Sequence, residues 1–211
     1  MRFTHVCFDC DSTLSQIEGI DWLAAQAGAD VAALTRQAME GELPLEEVYA
    51  RRLELVRPKR EALSRLGDVY VTALVDGAAE AVAALGAAGV AVHLVSAGLQ
   101  QALLPLAAAL GVPPERLHAV ELRFDRDGNY AGFEAGPLTR SGGKREVVAT
   151  IMADGGACAF VGDGITDLET RDDVAMFIGF GGVVRRRAVE AACEHYITEL
   201  RELPAMLLES A

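Results

Sequence analysis

Four short apolar runs constrain this chain most: Phe3–Phe8, Val90–Val95, Ala157–Val161 and Val174–Ile178. Each is rich in Val, Ile, Phe, Ala or Cys, and each has the length of one buried strand. At least three end in a small or acidic polar residue, followed by a turn or helix. Helical patterns fill the intervals at about Gly77–Leu85, Leu99–Leu110, Lys144–Met152 and Val184–Cys193. Strand and helix in alternation predict an α/β fold with a parallel sheet. Ligands of such sheets bind at the carboxyl ends of the strands. Asp9, Asp11, Ser96, Asp163 and Asp167 follow or end those runs, so they are expected to face one crevice.

Two segments interrupt the alternation. Leu14 to Val75 reads as amphipathic helix throughout, which predicts an inserted helical cap (14–75) on a core made of 1–13 and 76–211. Arg126-Asp127-Gly128-Asn129 predicts a hairpin turn between Glu121–Asp125 and Tyr130–Glu134. Ala81 to Pro114 carries no Asp, Glu, Lys or Arg, but Gly86, Gly89, His93, Gln100, Gln101 and Pro105 break it up. It reads as helix, turn, strand buried on both faces, and helix, rather than as a membrane span. Nineteen Lys and Arg stand against 31 Asp and Glu, a net charge of −12. Such a surface repels nucleic-acid phosphates and anionic lipid, which excludes both as partners. Four cysteines are too few for a disulfide framework. With no signal-peptide pattern at the N-terminus, a cytoplasmic protein is expected, monomer or homodimer, acting on a small molecule.

The chemistry begins at Asp9-Cys10-Asp11-Ser12-Thr13. Residues two apart on an extended segment face the same side, so Asp9 and Asp11 crowd one another. A metal, a shared proton or a cation must compensate. Asp163 and Asp167 are four apart and share one face if Ile165 onward is helical. Ser96 offers a hydroxyl and an amide ahead of a helix start, and Lys144 follows Ser141-Gly142-Gly143. Each has a plainer reading as a cap, a turn or a solvated lysine.

In order, these motifs resemble the haloacid dehalogenase superfamily: D-x-D-x-T at Asp9–Thr13, Ser96, Lys144 after the Gly-Gly pair, and Gly162-Asp163-Gly164-Ile165-Thr166-Asp167. The resemblance implies a Rossmann-like parallel-sheet core with an inserted helical-bundle cap. It also implies that Asp9 is the nucleophile, forming an aspartyl-phosphate, and that Asp11 is the general acid and then the base. Four carboxylates around a phosphate dianion require a cation, and oxygen-only ligands favour Mg²⁺. By resemblance Asp9 and Asp163 bind it through side chains, Asp11 through its main-chain carbonyl, and Asp167 supports the site. Gly162 and Gly164 let backbone approach closely.

The cap bears on the substrate. On a helical wheel over Leu45–Arg57, an apolar face includes Val48, Tyr49, Leu53, Leu55 and Val56, with Arg52 in its middle and Arg51 at its edge. An arginine on a buried stripe needs an anion, whether a ligand or an internal partner. Glu18 also has apolar neighbours. A Glu and an Arg above a phosphate site suit an amino acid's ammonium and carboxylate. This constellation resembles the branch of the superfamily that hydrolyses O-phospho-L-serine to L-serine and phosphate, the last step of serine biosynthesis. That resemblance assigns Glu18 to the amino group, Arg52 to the carboxylate, Met39 to the pocket lining, and Ser96, Ala97, Gly98, Lys144 and Thr166 to substrate contacts. Ala97 stands where the branch often has Gly, Val183 where close relatives carry Asn, and Cys10 where Phe or Val is commoner. The alternatives are a sister phosphatase for another small phosphate ester, a phospho-accepting receiver module, and the phosphorylation domain of an ion-pumping ATPase. Cys7 and Cys10 predict no zinc site, and His5, His93, His118 and His195 show no ligand spacing and read as structural.

Overall fold

A computed structural model describes residues 2–31, 34 and 45–208. Its strands are β1 (His5–Phe8), β2 (Ala91–Leu99), β3 (Leu117–Val120), β4 (Leu122–Phe124), β5 (Tyr130–Phe133), β6 (Cys158–Gly162), β7 (Met176–Phe180) and β8 (His195–Ile197). Six of them form one sheet in the order β3-β2-β1-β6-β7-β8, with every neighbouring pair parallel. β4 and β5 form the expected antiparallel hairpin. The chain builds outward from β1 in one direction, then returns to β6 and builds in the other. The crevice of this sheet therefore opens between the carboxyl ends of β1 and β6.

The helices are α1 (Gly19–Ala27), α2 (Leu45–Val56), α3 (Arg60–Thr72), α4 (Ala78–Ala87), α5 (Gln100–Ala109), α6 (Gly143–Ile151), α7 (Ile165–Leu168), α8 (Arg187–Ala192) and α9 (Leu203–Leu208). α1, α3, α4 and α6 each carry an acidic residue in the first turn, at Asp21, Glu61, Glu80 and Glu146, where the helix dipole favours negative charge. The core runs through both faces of the sheet. Phe8, Leu94, Phe160 and Phe180 are fully buried, each stabilising the fold by about 1.5–3 kcal/mol.

Several sequence expectations need correction. β3 and β8 lie outside the four apolar runs, because four residues carrying His118 and three beginning His195-Tyr196 do not read as apolar runs. Their neighbours in the sheet supply the ladder that their own sequence does not announce. The predicted strands at 3–8, 157–161 and 174–178 each start one or two residues too early. Ser96 does not end β2, which continues through a bulge between Val95 and Leu99.

The 14–75 segment is not helical throughout. Ser15 bridges to Asp11 and to Leu74, and the Val75 and Gln16 amides donate to the Leu14 and Ala73 carbonyls at 3.0 and 2.8 Å. The chain thus leaves the sheet and returns to it through paired backbone. Helices α1, α2 and α3 follow, and α3 lies along α5. In α2 Val48, Tyr49, Leu53 and Val56 are buried, whereas Leu55 is 54% exposed and is not part of the apolar face. Met39 lies outside the described residues.

The histidines read as structural, and three of them form a row. His5 Nδ1 lies 3.2 Å from His93 Nε2, and His93 Nδ1 lies 3.3 Å from His118 Nε2, one ring from each of β1, β2 and β3. Cys7 meets Cys158 across the sheet, sulfur to sulfur at 3.7 Å, and all four cysteines are free thiols.

Candidate active site

The loops after β1 and β6 are drawn together because the Asp9 amide donates to the Val161 carbonyl at 3.0 Å. The loop after β1 then turns tightly. The amides of Thr13, Leu14 and Ser15 all donate to the Cys10 carbonyl, and Ser12 adopts a left-handed φ of 55°. Oxygens of Asp9, Asp163 and Asp167 come within 4.8 Å of one another, and all three residues are buried. Gly162 is required here: a β-carbon on it would lie 2.3 Å from Asp167 Cγ.

Two cations enter this cluster. Lys144, at the start of α6, places Nζ 2.8 Å from Asp9 Oδ1 and donates to Asp167 Oδ1 at 2.5 Å. Arg186 donates from Nε to Asp163 Oδ2 at 2.7 Å and approaches Glu18 Oε1 at 3.5 Å. The hydroxyl of Thr13 donates to Asp163 Oδ1, that of Ser12 to Glu18 Oε1, and the Gly164 amide to Asp167 Oδ2.

The electrostatics follow from crowding. Burial, then the charge of Asp9, pushes the Asp167 carboxyl up to about 7 against the pull of Lys144. Burial, then the Glu18 and Asp9 charges, pushes Asp11 up to about 8. Burial also raises Asp163 and Glu18. Burial opposes the Lys144 charge, yet the Asp167 and Asp9 carboxylates outweigh it and hold the ammonium protonated. Among the described residues, Lys144 and Arg186 are the cations paired with Asp9, Glu18, Asp163 and Asp167, and Asp11 has no ion pair. Unmatched negative charge on hard oxygen donors, three of them converging, fits a hard divalent cation.

The remaining expected residues are distributed as follows. Asp11 turns its Oδ1 toward Tyr70 of α3 and the Gly19 amide of α1. Ser96 is buried, and its Oγ accepts from the Gly98 amide at 2.9 Å. The Ala97 carbonyl accepts from the Tyr49 hydroxyl of α2 at 2.9 Å. Thr166 is half-buried in the first turn of α7. Arg52 pairs with Asp21 through Nη2, the internal-partner reading of that residue, but its buried Nε has no acceptor.

Arg186 and Tyr70 escaped the sequence reading. Arg185-Arg186-Arg187 looks like a solvated run, and only the second arginine turns inward. Tyr70 sits on an amphipathic helix where a buried tyrosine is ordinary core.

The profile of the haloacid dehalogenase-like hydrolase family matches residues 6–170, and the chain belongs to that family. Within it, the chain is similar to phosphoserine phosphatases over almost its whole length. The enzyme of Bos taurus is 40% identical over 209 residues, 97% of this chain and 93% of the relative. That of Homo sapiens is 38% identical over the same shares. A solved structure described as a phospho-aspartyl intermediate analogue of phosphoserine phosphatase matches with a TM-score of 0.81 at 26% identity, covering 98% of this chain and 100% of that one. These relatives bear out the resemblance read from the motifs. No helix among the described residues is long and apolar enough to cross a membrane.

Proposed function

We propose that this chain hydrolyses O-phospho-L-serine to L-serine and phosphate, as the last step of serine biosynthesis in the cytoplasm, with Mg²⁺ as cofactor and residues 14–75 acting as a cap over a core of 1–13 and 76–211. The observation that carries this reading is the buried cluster of Asp9, Asp163 and Asp167 around Lys144, in a chain 40% identical to a phosphoserine phosphatase.

In this reading the Asp9 carboxylate attacks phosphorus. The bond from phosphorus to the seryl oxygen breaks as the bond from Asp9 to phosphorus forms. Asp11 gives its proton to the departing seryl oxygen, then takes one from the water that hydrolyses the aspartyl-phosphate. A carboxyl held near neutrality suits both duties. Lys144, the Ser96 hydroxyl and the Ala97 amide hold the phosphoryl oxygens, while the Gly98 amide braces the Ser96 hydroxyl. The side chains of Asp9 and Asp163 and the main-chain carbonyl of Asp11, with Asp167 in support, would hold Mg²⁺, whose positive charge would offset that of the phosphoryl group.

Glu18 takes the ammonium of the substrate, Arg52 its carboxylate, and Thr166 contacts it; Met39, which the resemblance assigns to the pocket lining, lies outside the described residues. The bare Nε of Arg52 supports this, because a buried guanidinium N–H without an acceptor is costly and an arriving carboxylate relieves it. A phosphate-release panel over small phosphomonoesters, with and without Mg²⁺, tests the proposal. O-phospho-L-serine should lead the panel, and chelation should stop turnover. Preference for an ester without an amino acid's charges would overturn the substrate assignment.

A further inference from the structure

The geometry points to Tyr70 as the positioning residue for Asp11: its hydroxyl fixes which carboxyl oxygen faces the phosphate loop. This inference rests on the role given to Asp11 above. Oδ1 of Asp11 accepts two hydrogen bonds, from the Tyr70 hydroxyl at 2.5 Å and from the Gly19 amide at 3.2 Å. Both donors belong to the 14–75 segment. Oδ2 points the other way, 3.5 Å from where a β-carbon on Gly98 would stand. One oxygen is thus held by the helices and the other is aimed across the Ser96–Gly98 turn.

The contact is built rather than incidental. Tyr70 is fully buried in the last turn of α3, and the Ser15 hydroxyl donates to its carbonyl at 3.3 Å. Its ring tip is wedged against the start of α1, where a β-carbon on Gly19 would lie 2.1 Å from the phenol oxygen. Only glycine there lets the hydroxyl reach Asp11.

The consequence concerns where the proton sits. An oxygen that already accepts two hydrogen bonds has its lone pairs engaged, so a proton on this carboxyl is carried by Oδ2. That is the oxygen on the side of the Ser96–Gly98 turn, where the proposed reaction places the phosphate ester. As the phosphorus–oxygen ester bond breaks and the Asp9–phosphorus bond forms, the Oδ2 proton passes to the alkoxide and the carboxylate left behind keeps its two donors. Without the Tyr70 hydroxyl, Oδ1 loses its shorter bond, and the carboxyl is free to rotate and present either oxygen. Misplacing a reacting group by about 1 Å is enough to slow a reaction by about a hundredfold.

The test compares Tyr70→Phe with wild type on two esters. An alkyl ester such as O-phospho-L-serine needs its leaving oxygen protonated. An aryl ester such as p-nitrophenyl phosphate departs as a stable phenolate and needs much less help. kcat/KM reads the first transfer in isolation. The alkyl kcat/KM should fall about 10- to 100-fold, through kcat rather than KM, while the aryl value changes by less than about threefold. Equal falls on both esters, or no fall on either, would overturn the assignment. Gly19→Ala pushes the hydroxyl away from the other side and should give the same split, so a folding defect in one variant does not decide the matter. If wild type prefers another alkyl phosphate, the comparison is made on that ester, and the substrate reading fails without the Tyr70 assignment failing.

Discussion

Lys144 and Asp9 face each other at 2.8 Å in an enclosure where their side chains keep only 6% and 10% of their exposure. A buried ion pair is weak evidence for net stability, but breaking one strands the remaining charge. Here the ammonium serves two carboxylates at once, since Asp167 shares it. Lys144 is therefore both the counter-charge that lets the acidic cluster exist and, in the proposed reaction, the cation that meets the incoming phosphate.

Lys144→Met should cost about 3–5 kcal/mol of stability in chelated buffer, read from urea unfolding. Divalent cation should restore more of that loss in the variant than it adds to wild type. An unchanged unfolding midpoint would mean that the cluster is balanced by something other than Lys144.

Gly162→Ala probes the geometry of the same cluster. The added methyl meets the Asp167 carboxyl at 2.3 Å, and overpacking of this kind costs about 1–3 kcal/mol. The variant should also need a higher Mg²⁺ concentration for half-maximal phosphate release. A variant with wild-type stability and an unchanged Mg²⁺ requirement would show that the Asp167 side chain is free to move aside.

Arg52→Ala addresses specificity. KM for O-phospho-L-serine should rise about 10- to 100-fold, the range expected for losing a charge-assisted contact to a carboxylate. KM for p-nitrophenyl phosphate, which has no carboxylate, should barely move. Parallel rises on both esters would leave Arg52 as a partner of Asp21 alone.

The imidazole row gives a pH dependence with a defined sign. Burial, then the neighbouring His118, His5 and Arg116, pushes His93 down to about 4, and burial lowers His118 as well. The unfolded chain therefore binds protons that the folded row refuses. This contribution to stability is fully present above about pH 6.5 and is lost as pH falls toward 4. The buried carboxyls with raised pKa act in the opposite sense over the same range, so the row is read by difference: on going from pH 7.5 to pH 5 the melting temperature of His93→Gln should shift upward relative to that of wild type. Equal shifts in the two proteins would remove the row from the account.

Much of this was legible in the chain itself, and the boundary has a physical cause. Asp9, Asp163 and Lys144 announce themselves because each chemical group sits within a few residues of the strand end or glycine pair that aims it. The four longer apolar runs likewise carry their burial in their own composition. Arg186 is 168 residues from Glu18 and Tyr70 is 59 from Asp11, so their contacts exist only once the sheet and the 14–75 segment are packed. β8 is similar: three residues beginning with His195 become a strand because β7 offers them a ladder. Arg52 lies between these cases. Its place on a buried stripe signalled a need for an anion, but only the packed structure supplies Asp21.

The most direct test is to acid-quench the enzyme within milliseconds of mixing with O-phospho-L-serine labelled in the phosphoryl group, then map the label by peptide. Label should appear on Asp9 of wild type, sensitive to hydroxylamine as an acyl phosphate is, and should be absent from Asp9→Asn, which releases no phosphate. Steady turnover with no label on Asp9, or turnover by Asp9→Asn, would contradict the account.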